Sequence, residues 1–234
     1  MTTSRTRPRT GILAAVREVV LVVAIAVVVS LVVKTFLLQV FWIPSESMEQ
    51  TLDVGDRVVV SKLTPGPFAL HRGDVVVFTD PGDWLAGQPA APERGRLARA
   101  LSTVGVLPQD GNDHLVKRLV GLPGDHVVCC DAQGRLSVNG VAVEESGYLA
   151  AGARPSQTAF DVTVPAGDLW VMGDNRQDSW DSRKHGFLPE DDVVGRAELV
   201  VWPLSHWSRL ATPSAFDDVP AASGASWPRT SHRT

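Results

Sequence analysis

The chain has 234 residues, 44% of them hydrophobic and 21% charged, so most of it is expected to fold around a core. Its 20 glycines and 16 prolines favour many turns and argue against a helix bundle. The net charge of −4 is uneven: from Ile43 onward, 17 basic residues stand against 25 acidic ones, which argues against nucleic-acid binding. Cys129 and Cys130 are too few for a disulfide scaffold or a zinc site. A disulfide between neighbours would close a tight, strained ring, so thiols or a minor structural role are expected, and catalysis is not expected to need either cysteine.

An apolar segment near the amino terminus predicts one membrane-spanning helix. Residues 19–33 are interrupted only by Ser30, and after one lysine the apolar character continues to Trp42. Because about 20 residues cross a bilayer as a helix, the predicted anchor is 19–42. The preceding segment, 1–18, carries four arginines, and the positive-inside rule places it in the cytoplasm and the body of the chain outside.

Two other interpretations of this segment are weaker. A cleaved signal peptide needs a site of small residues after the apolar stretch, whereas this stretch ends in bulky residues and Pro44. A core helix of a soluble domain would show helical periodicity, and the valine-rich run shows none.

Eight short, valine-rich segments bounded by Gly, Pro, Asp or Asn predict an all-β domain over 43–212. They lie at 57–60, 74–78, 114–120, 126–130, 136–143, 160–164, 168–173 and 192–202. Between the two halves of the fifth segment, Asn139 and Gly140 predict a type I′ hairpin turn. Residues 80–113, which contain four prolines, are predicted to be an insertion loop. Residues 213–234, rich in Ala, Ser, Pro, Thr and Arg, are predicted to be a disordered tail.

The segment directly after the predicted anchor carries two candidate catalytic hydroxyls. Pro44 stiffens the backbone, and Ser45 and Ser47 stand two residues apart, so they share a face if the chain is extended. One hydroxyl could attack a carbonyl carbon while the other donates a hydrogen bond to the developing oxyanion. A polar turn beside the membrane is the alternative, and these residues alone leave both open.

Lys117 is a candidate general base. If 114–120 is a strand, Lys117 shares one face with Leu115 and Leu119. Desolvation by such neighbours disfavours the ammonium and lowers the pKa of a lysine. The alternative is a lysine that extends to solvent at a sheet edge, and the sequence leaves both open.

The segment 172–186 is dense in Asp, Asn, Arg and Ser and follows an apolar strand. Calcium would suit its oxygen ligands, but its three basic residues oppose a cation and no EF-hand spacing fits. An ion pair between Asp181 and Arg183 that orders the loop is favoured instead. A Ser-His-Asp triad with His185 or His114 as base stays possible in principle, although no local motif supports it.

Four motifs together resemble those of the bacterial type I signal peptidases, or leader peptidases. They follow a basic amino terminus and an apolar segment in the order of that family. The motifs are PSxSM at Pro44–Met48, RGD with VVVF at 72–78, KRxxGxPGD at Lys117–Asp125 and GDNRxxSxDSR at Gly173–Arg183. The resemblance covers roughly residues 10–202. It implies a mostly β, extracytoplasmic catalytic domain behind one transmembrane helix, and a serine endopeptidase that cleaves signal peptides from exported preproteins.

The resemblance also implies a role for each motif residue. Ser47 is the implied nucleophile and Lys117 the base, with the Ser45 hydroxyl and the Ser47 N–H as the oxyanion hole. Ser179 is expected to hydrogen-bond and orient the lysine ammonium. A supporting ion-pair cluster is implied for Asp181, Arg183 and Arg118.

The implied partners are preproteins, with small residues at the −1 and −3 positions, and membrane lipid. No nucleic acid, metal or cofactor is expected, and the sequence leaves the oligomeric state open. Two competing hypotheses are a self-cleaving Ser–Lys peptidase of the repressor type and a non-catalytic, membrane-tethered binding module. The anchor argues against the first, and labelling by a serine-reactive acylating probe would exclude the second.

Overall fold

The computed structural model describes residues 11–82, 84–85, 114–150 and 152–222. In these ranges it has one long helix, α1 (Ile12–Phe36), a four-residue helix, α2 (Ser182–His185), and twelve β-strands joined by turns and short 3-10 segments. The prediction of a mostly β chain with one apolar amino-terminal helix is therefore confirmed.

The apolar helix is shorter at its carboxyl end than the predicted anchor of 19–42. Within α1, Ala14–Val33 is long and apolar enough to cross a membrane, and none of it is buried against the rest of the chain. The helix ends at Phe36, and Leu38–Trp42 forms strand β1. This part of the prediction is wrong because hydrophobicity does not distinguish a lipid-facing helix from a core strand. Every residue of β1 pairs with a neighbouring strand, and the Phe41 side chain is buried in the core.

Eight antiparallel strands form the large sheet, in the order β1-β2-β11-β3-β4-β9-β10, with β12 added beside β11. Its strands are β1 (Leu38–Trp42), β2 (Arg57–Ser61), β3 (Val75–Thr79), β4 (His114–Gly121), β9 (Asp168–Met172), β10 (Leu188–Pro189), β11 (Val193–Trp202) and β12 (Ser208–Arg209). Strand β4 lies inside this sheet, between β3 and β9, so a lysine in its middle is far from either sheet edge.

Four further strands form a small antiparallel sheet in the order β7-β6-β5-β8. They are β5 (His126–Cys129), β6 (Leu136–Val138), β7 (Val141–Ala142) and β8 (Phe160–Thr163). Asn139 and Gly140 connect β6 to β7 with φ angles of 51° and 80°. Both angles are positive, as a type I′ turn requires, so the predicted hairpin is confirmed.

The core is divided among three apolar clusters, and β4 contributes to each of them. Leu115 and Leu119 belong to one cluster, Val116 packs against a second, and Val120 joins the third, beneath the small sheet. Burying one such side chain contributes about 1.5–3 kcal/mol, so β4 is firmly held along its length. The site residues that it carries are therefore placed on a rigid element.

The predicted disordered tail is wrong for residues 213–222, which pack against the body of the domain. Phe216 and Val219 are 6% and 7% exposed and belong to the cluster beneath the small sheet. Arg72 donates hydrogen bonds to the carbonyls of Val219 and Pro220 at 3.3 and 3.2 Å. The overall composition of this segment predicted disorder, but a few apolar side chains are enough to pack it against the domain. Residues 223–234 lie outside the described residues.

Most of the predicted insertion, from residue 86 to residue 113, also lies outside the described residues. Its first residues pack against the body: Trp84 is buried, with its ring edge-on to Phe78 at 5.5 Å and stacked on His185 at 5.1 Å. The carboxylate of Asp80 accepts the N–H of Trp84 at 3.1 Å. A local ring contact with Phe78 and a long-range one with His185 thus fix the chain where it leaves β3.

Cys129 and Cys130 form a disulfide, so the first expectation, two thiols, is wrong, which leaves the other, a minor structural role. The peptide bond between them is cis, and their Cα atoms are 2.9 Å apart. Cys129 is buried at the end of β5, in the cluster beneath the small sheet. That catalysis does not need this pair stays a prediction.

Candidate active site

A short turn after β1 presents the two candidate hydroxyls. Ile43, Met48 and Leu52 are buried in one apolar cluster and hold the 3-10 turn Glu46–Met48 between them. Ser45 precedes this turn in an extended conformation and is exposed, whereas Ser47 lies inside it and is 8% exposed. The apolar anchors on both sides therefore fix the position of Ser47.

The structure brings Lys117 to Ser47 across 70 residues of sequence. The Lys117 Nζ lies 2.6 Å from the Ser47 Oγ and 3.1 Å from the carbonyl oxygen of Val116. Lys117 is 3% exposed, and Leu115 and Leu119, which alternate with it along β4, belong to one buried cluster. The second interpretation, a lysine that reaches solvent at a sheet edge, does not fit this position.

Burial lowers the pKa of Lys117 from 10.5 to about 8. The carboxylates of Asp181 and Asp174 oppose this change, and the guanidinium of Arg183 adds to it. Roughly one amine in ten would then be neutral at pH 7, instead of fewer than one in a thousand for an ordinary lysine. Only the neutral amine can accept the proton of Ser47, so this environment suits a general base.

Ser45 lies beside the same hydroxyl. Its Oγ is 3.3 Å from the Ser47 Oγ, so the two serines share a side of the chain as their spacing predicts. An exposed hydroxyl here can donate a hydrogen bond to a bound substrate. Its place in an oxyanion hole stays a prediction.

Ser179 is close to the pair but does not hydrogen-bond to Lys117, whose partners are Ser47 and Val116. The buried Ser179 hydroxyl makes no hydrogen bond of good geometry among the described residues, but it lies close enough to Asp181 to help lower the pKa of that carboxylate. It packs against Gly173, where a Cβ would overlap both the Ser179 Oγ and the carbonyl oxygen of Ser47. Only glycine fits between these two groups. That Ser179 orients the lysine stays a prediction.

Arg118 holds the loop after β9 against the segment that follows Ser47. Its guanidinium binds the carboxylate of Asp174 through two bonds of 2.8 and 2.6 Å, and the same carboxylate accepts the Thr51 hydroxyl at 2.5 Å. A third bond, 2.7 Å long, joins Arg118 to the carbonyl of Gly73 in the Arg-Gly-Asp turn. A buried bidentate pair with further hydrogen bonds fixes geometry strongly.

Asp181 and Arg183 form the ion pair expected from the sequence, with two bonds of 2.8 Å. Asp181 also accepts the N–H of Gly173 at 2.9 Å. Burial raises the pKa of Asp181, but the bonds from Arg183 and Gly173 outweigh it and lower the pKa overall. The carboxylate therefore stays ionised. The resemblance implied one cluster of Asp181, Arg183 and Arg118. In the structure Arg118 instead pairs with Asp174, and Asp181 pairs with Arg183 alone.

Several site residues were missed by the sequence analysis. The N–H of Asn175 donates to the carbonyl of Ser47 at 3.1 Å, and its side-chain amide donates to the carbonyl of Glu46 at 3.2 Å. Asp174 and Arg176 also bind buried partners. These residues lie inside the GDNR motif, so the motif pointed to them. Their partners are distant in the sequence, and no local pattern indicated which residues they would bind.

The remaining alternatives fit less well. His185 is stacked on Trp84 at 5.1 Å, and the His114 ring lies 5.0 Å from that of Phe41, whereas the Ser47 hydroxyl binds Lys117 and Ser45. Lysine is thus the base that the geometry favours. Among the described residues, no three His, Cys, Asp or Glu side chains group as a metal site would require.

Comparison with known proteins agrees with these motifs. Residues 16–202 match the family model described as signal peptidase, peptidase S26. A signal peptidase I of Mycobacterium tuberculosis is 38% identical over 229 residues, which cover 86% of this chain and 77% of the relative. A signal peptidase I of Leptolyngbya laminosa is 32% identical over 194 residues, with 83% of each chain covered. A crystal structure of a signal peptidase I from Enterococcus faecalis V583 has a TM-score of 0.37 and 25% identity, covering 55% of this chain and 97% of that one.

Proposed function

We propose, from the premise that this chain belongs to the signal peptidase family, peptidase S26, that it cleaves signal peptides with Ser47 as nucleophile and Lys117 as general base. Membership makes the chain a signal peptidase I, a serine peptidase that acts on signal peptides. The assignment of Ser47 and Lys117 as nucleophile and base is supported by the 2.6 Å contact between the buried Lys117 Nζ and the Ser47 Oγ. A buried amine against a serine hydroxyl is the arrangement that acyl transfer without histidine requires.

The proposed reaction is acyl transfer in two steps. The neutral amine of Lys117 accepts the proton of Ser47 while the Oγ attacks the scissile carbonyl carbon. The oxyanion that forms accepts hydrogen bonds from the Ser45 hydroxyl and the Ser47 N–H. The ammonium of Lys117 returns the proton to the leaving nitrogen, and the mature protein departs with a free amino terminus.

The signal peptide then remains as an ester on Ser47. Water attacks this ester, and Lys117 accepts a proton from the water as the new bond forms. Collapse of the second tetrahedral intermediate restores the Ser47 hydroxyl and releases the signal peptide. One lysine thus serves as base and acid in both steps, as the base of a catalytic triad does.

We propose that cleavage takes place at the membrane. Large apolar side chains of α1 are exposed from Val16 to Val32, which suits contact with lipid. Ser47 follows the last residue of the helix, Phe36, by only eleven positions, so the site is expected to lie near the bilayer surface. Signal peptides are themselves apolar and reach the enzyme within the bilayer. We therefore propose a single-pass protein with a cytoplasmic amino terminus and an extracytoplasmic catalytic domain.

Protease added to intact spheroplasts is expected to digest the chain from about residue 43 onward and to leave the amino-terminal segment protected. The arginines before α1 hold that end in the cytoplasm, so only the domain that follows the helix is accessible. Epitope tags at the two ends, followed by immunoblotting, measure this. Detergent-lysed cells serve as the control, in which both tags are lost. Protection of the whole chain in intact spheroplasts would reverse the topology.

The full chain, purified in detergent micelles, tests the proposed activity directly. With a preprotein that has small residues at −1 and −3, mass spectrometry should find the two products of a cut at the signal-peptide junction. A serine-reactive acylating probe should label Ser47. Labelling without preprotein cleavage would instead favour a Ser–Lys peptidase with another substrate. An unlabelled, folded chain would favour the binding module.

Ser45→Ala is expected to slow preprotein cleavage by about 10²–10³ in kcat, the loss usual for one oxyanion donor. The nucleophile and base stay in place, so the rate should remain measurable. Steady-state kinetics give kcat and KM, and Ser45→Thr, which keeps a hydroxyl, is the matched control. An unchanged rate would remove Ser45 from the oxyanion hole.

A further inference from the structure

Glu145 is a buried carboxylate that the proposed mechanism does not use. It lies in the 3-10 turn Glu145–Gly147, which follows β7 of the small sheet, and it is 5% exposed. Its Oε1 accepts two hydrogen bonds, from the Arg176 Nη2 at 2.6 Å and from the Tyr148 hydroxyl at 2.8 Å. Burial raises the pKa of Tyr148 well above its usual value, so this phenol stays protonated and remains a donor.

Arg176, the partner of Glu145, reaches the backbone beside the catalytic pair. Its guanidinium is fully buried and donates to the carbonyl of Gly173 at 2.8 Å and to that of Pro155 at 2.9 Å. The N–H of the same Gly173 donates to Asp181 at 2.9 Å. One ion pair, Asp181 with Arg183, therefore holds Gly173 by its N–H, and the other, Glu145 with Arg176, holds it by its carbonyl.

Gly173 is the residue that packs against the nucleophile's turn. A Cβ at this position would lie 2.5 Å from the carbonyl oxygen of Ser47, so the two backbones are in close contact. The same carbonyl accepts the N–H of Asn175, which lies between Gly173 and Arg176 in the turn that both ion pairs hold. A shift of Gly173 would thus be passed directly to Ser47 and to its distance from Lys117.

We propose that Glu145 is a positioning residue for the cleavage reaction, which through Arg176 and Gly173 sets the place of Ser47 against Lys117. The inference rests on the proposed function of the Ser47 and Lys117 pair. Glu145 lies in the turn that follows the small sheet, whereas Gly173 and Arg176 lie in the loop after β9 of the large sheet, so the link joins the two sheets. The Tyr148 ring strengthens the link, because the guanidinium of Arg118 lies 4.3 Å above it.

Glu145→Gln keeps the size of the side chain and removes its charge. It is expected to lower kcat by about 10- to 100-fold with little change in KM, because a small displacement of a reacting group is costly while substrate contacts are kept. Water admitted around Lys117, which faces Asp181, Asp174 and Arg183, would also move the acidic limb of kcat/KM to higher pH. A residue that only stabilised the fold would lower the melting temperature and leave the pH profile of the folded enzyme unchanged.

Two further variants make the test decisive. Glu144→Gln changes the adjacent, exposed glutamate and is expected to behave as wild type. The double variant Glu145→Leu with Arg176→Met removes the buried charges together, which a fold usually tolerates. It should fold and show a similar kinetic defect, because it removes the Arg176 guanidinium that binds the carbonyl of Gly173. It replaces Glu145→Gln as the test if that variant fails to fold.

The outcomes separate this inference from the proposed function. If the wild-type chain cleaves no preprotein and the serine-reactive probe leaves Ser47 unlabelled, the proposed function fails. If the wild type is active and the folded double variant has wild-type kcat and an unmoved pH profile, the positioning role of Glu145 is overturned. The positioning role is supported if Glu145→Gln or the double variant has a lowered kcat and an acidic limb of kcat/KM at higher pH, and Glu144→Gln has neither.

Discussion

Ser47→Ala is expected to abolish preprotein cleavage and to leave the fold intact. The Ser47 Oγ is the only atom lost, and it contacts the Lys117 Nζ at 2.6 Å and the Ser45 Oγ at 3.3 Å. Neither contact holds the turn, which is fixed by the buried side chains of Met48 and Leu52. Removing the nucleophile of an acyl-transfer enzyme lowers kcat on the order of 10⁶-fold, so the variant should show no product.

Mass spectrometry of the products and a thermal melt of each protein check this result. Ser137→Ala is the matched control because it removes a hydroxyl from strand β6 of the small sheet, whereas Lys117 lies in β4 of the large sheet. The control should cleave preprotein at the wild-type rate. Processing by Ser47→Ala at that same rate would show that another residue is the nucleophile.

Most of the fold could be predicted because its signals are local. The short apolar segments and their turn residues are read from neighbours in the sequence. Seven of the eight segments each correspond to one strand, and the eighth, 136–143, contains two strands joined by the predicted turn. The hairpin turn at Asn139 and Gly140 is likewise set by two residues. Alternation along β4 placed Lys117 between Leu115 and Leu119, and this local pattern was enough to anticipate a desolvated amine.

The parts that could not be predicted depend on partners far apart in the chain. Arg118 and Asp174 are 56 residues apart, and Glu145 and Arg176 are 31 apart, so no pattern in one segment indicates either pair. The end of the helix at Phe36 could not be predicted for the same reason: it depends on a partner distant in the sequence. Whether the next apolar residues enter lipid or a sheet is decided by β2, the strand that pairs with them.

The ion pairs around Gly173 show what the motif after β9 does in physical terms. Asp181 and Arg176 do not hydrogen-bond to Ser47, but they bind the backbone at both ends of one glycine, Gly173. Such a backbone contact needs glycine at its centre and charged residues at fixed distances along the loop. The density of charge in the segment 172–186, which by itself suggested a calcium loop, is thus explained by the support of a neighbouring turn.

Lys117→Arg is expected to be inactive, although it nearly keeps the length and charge of the side chain. A guanidinium does not give up its proton in a protein, so the variant cannot accept the proton of Ser47. Cleavage assays with Lys117→Arg measure this, and Lys62→Arg, which changes a lysine in the loop after β2, is the matched control. Lys117→His would keep at most a trace of activity because the imidazole is shorter. A fully active arginine variant would exclude the Ser–Lys pair and return attention to His185 and His114.

The pH profile of the wild-type enzyme tests the same assignment without any substitution. Burial holds the pKa of Lys117 at about 8, and only the neutral amine acts as a base. Below pH 8 each unit of pH therefore lowers kcat/KM about tenfold, and above it the profile levels off. The pH of the acidic limb identifies the base. A carboxylate base would give a limb near pH 4, and an ordinary lysine would give one above pH 10. Because kcat/KM reports the free enzyme, its acidic limb should lie near pH 8, and a limb at pH 6 or below would point to a base other than this lysine.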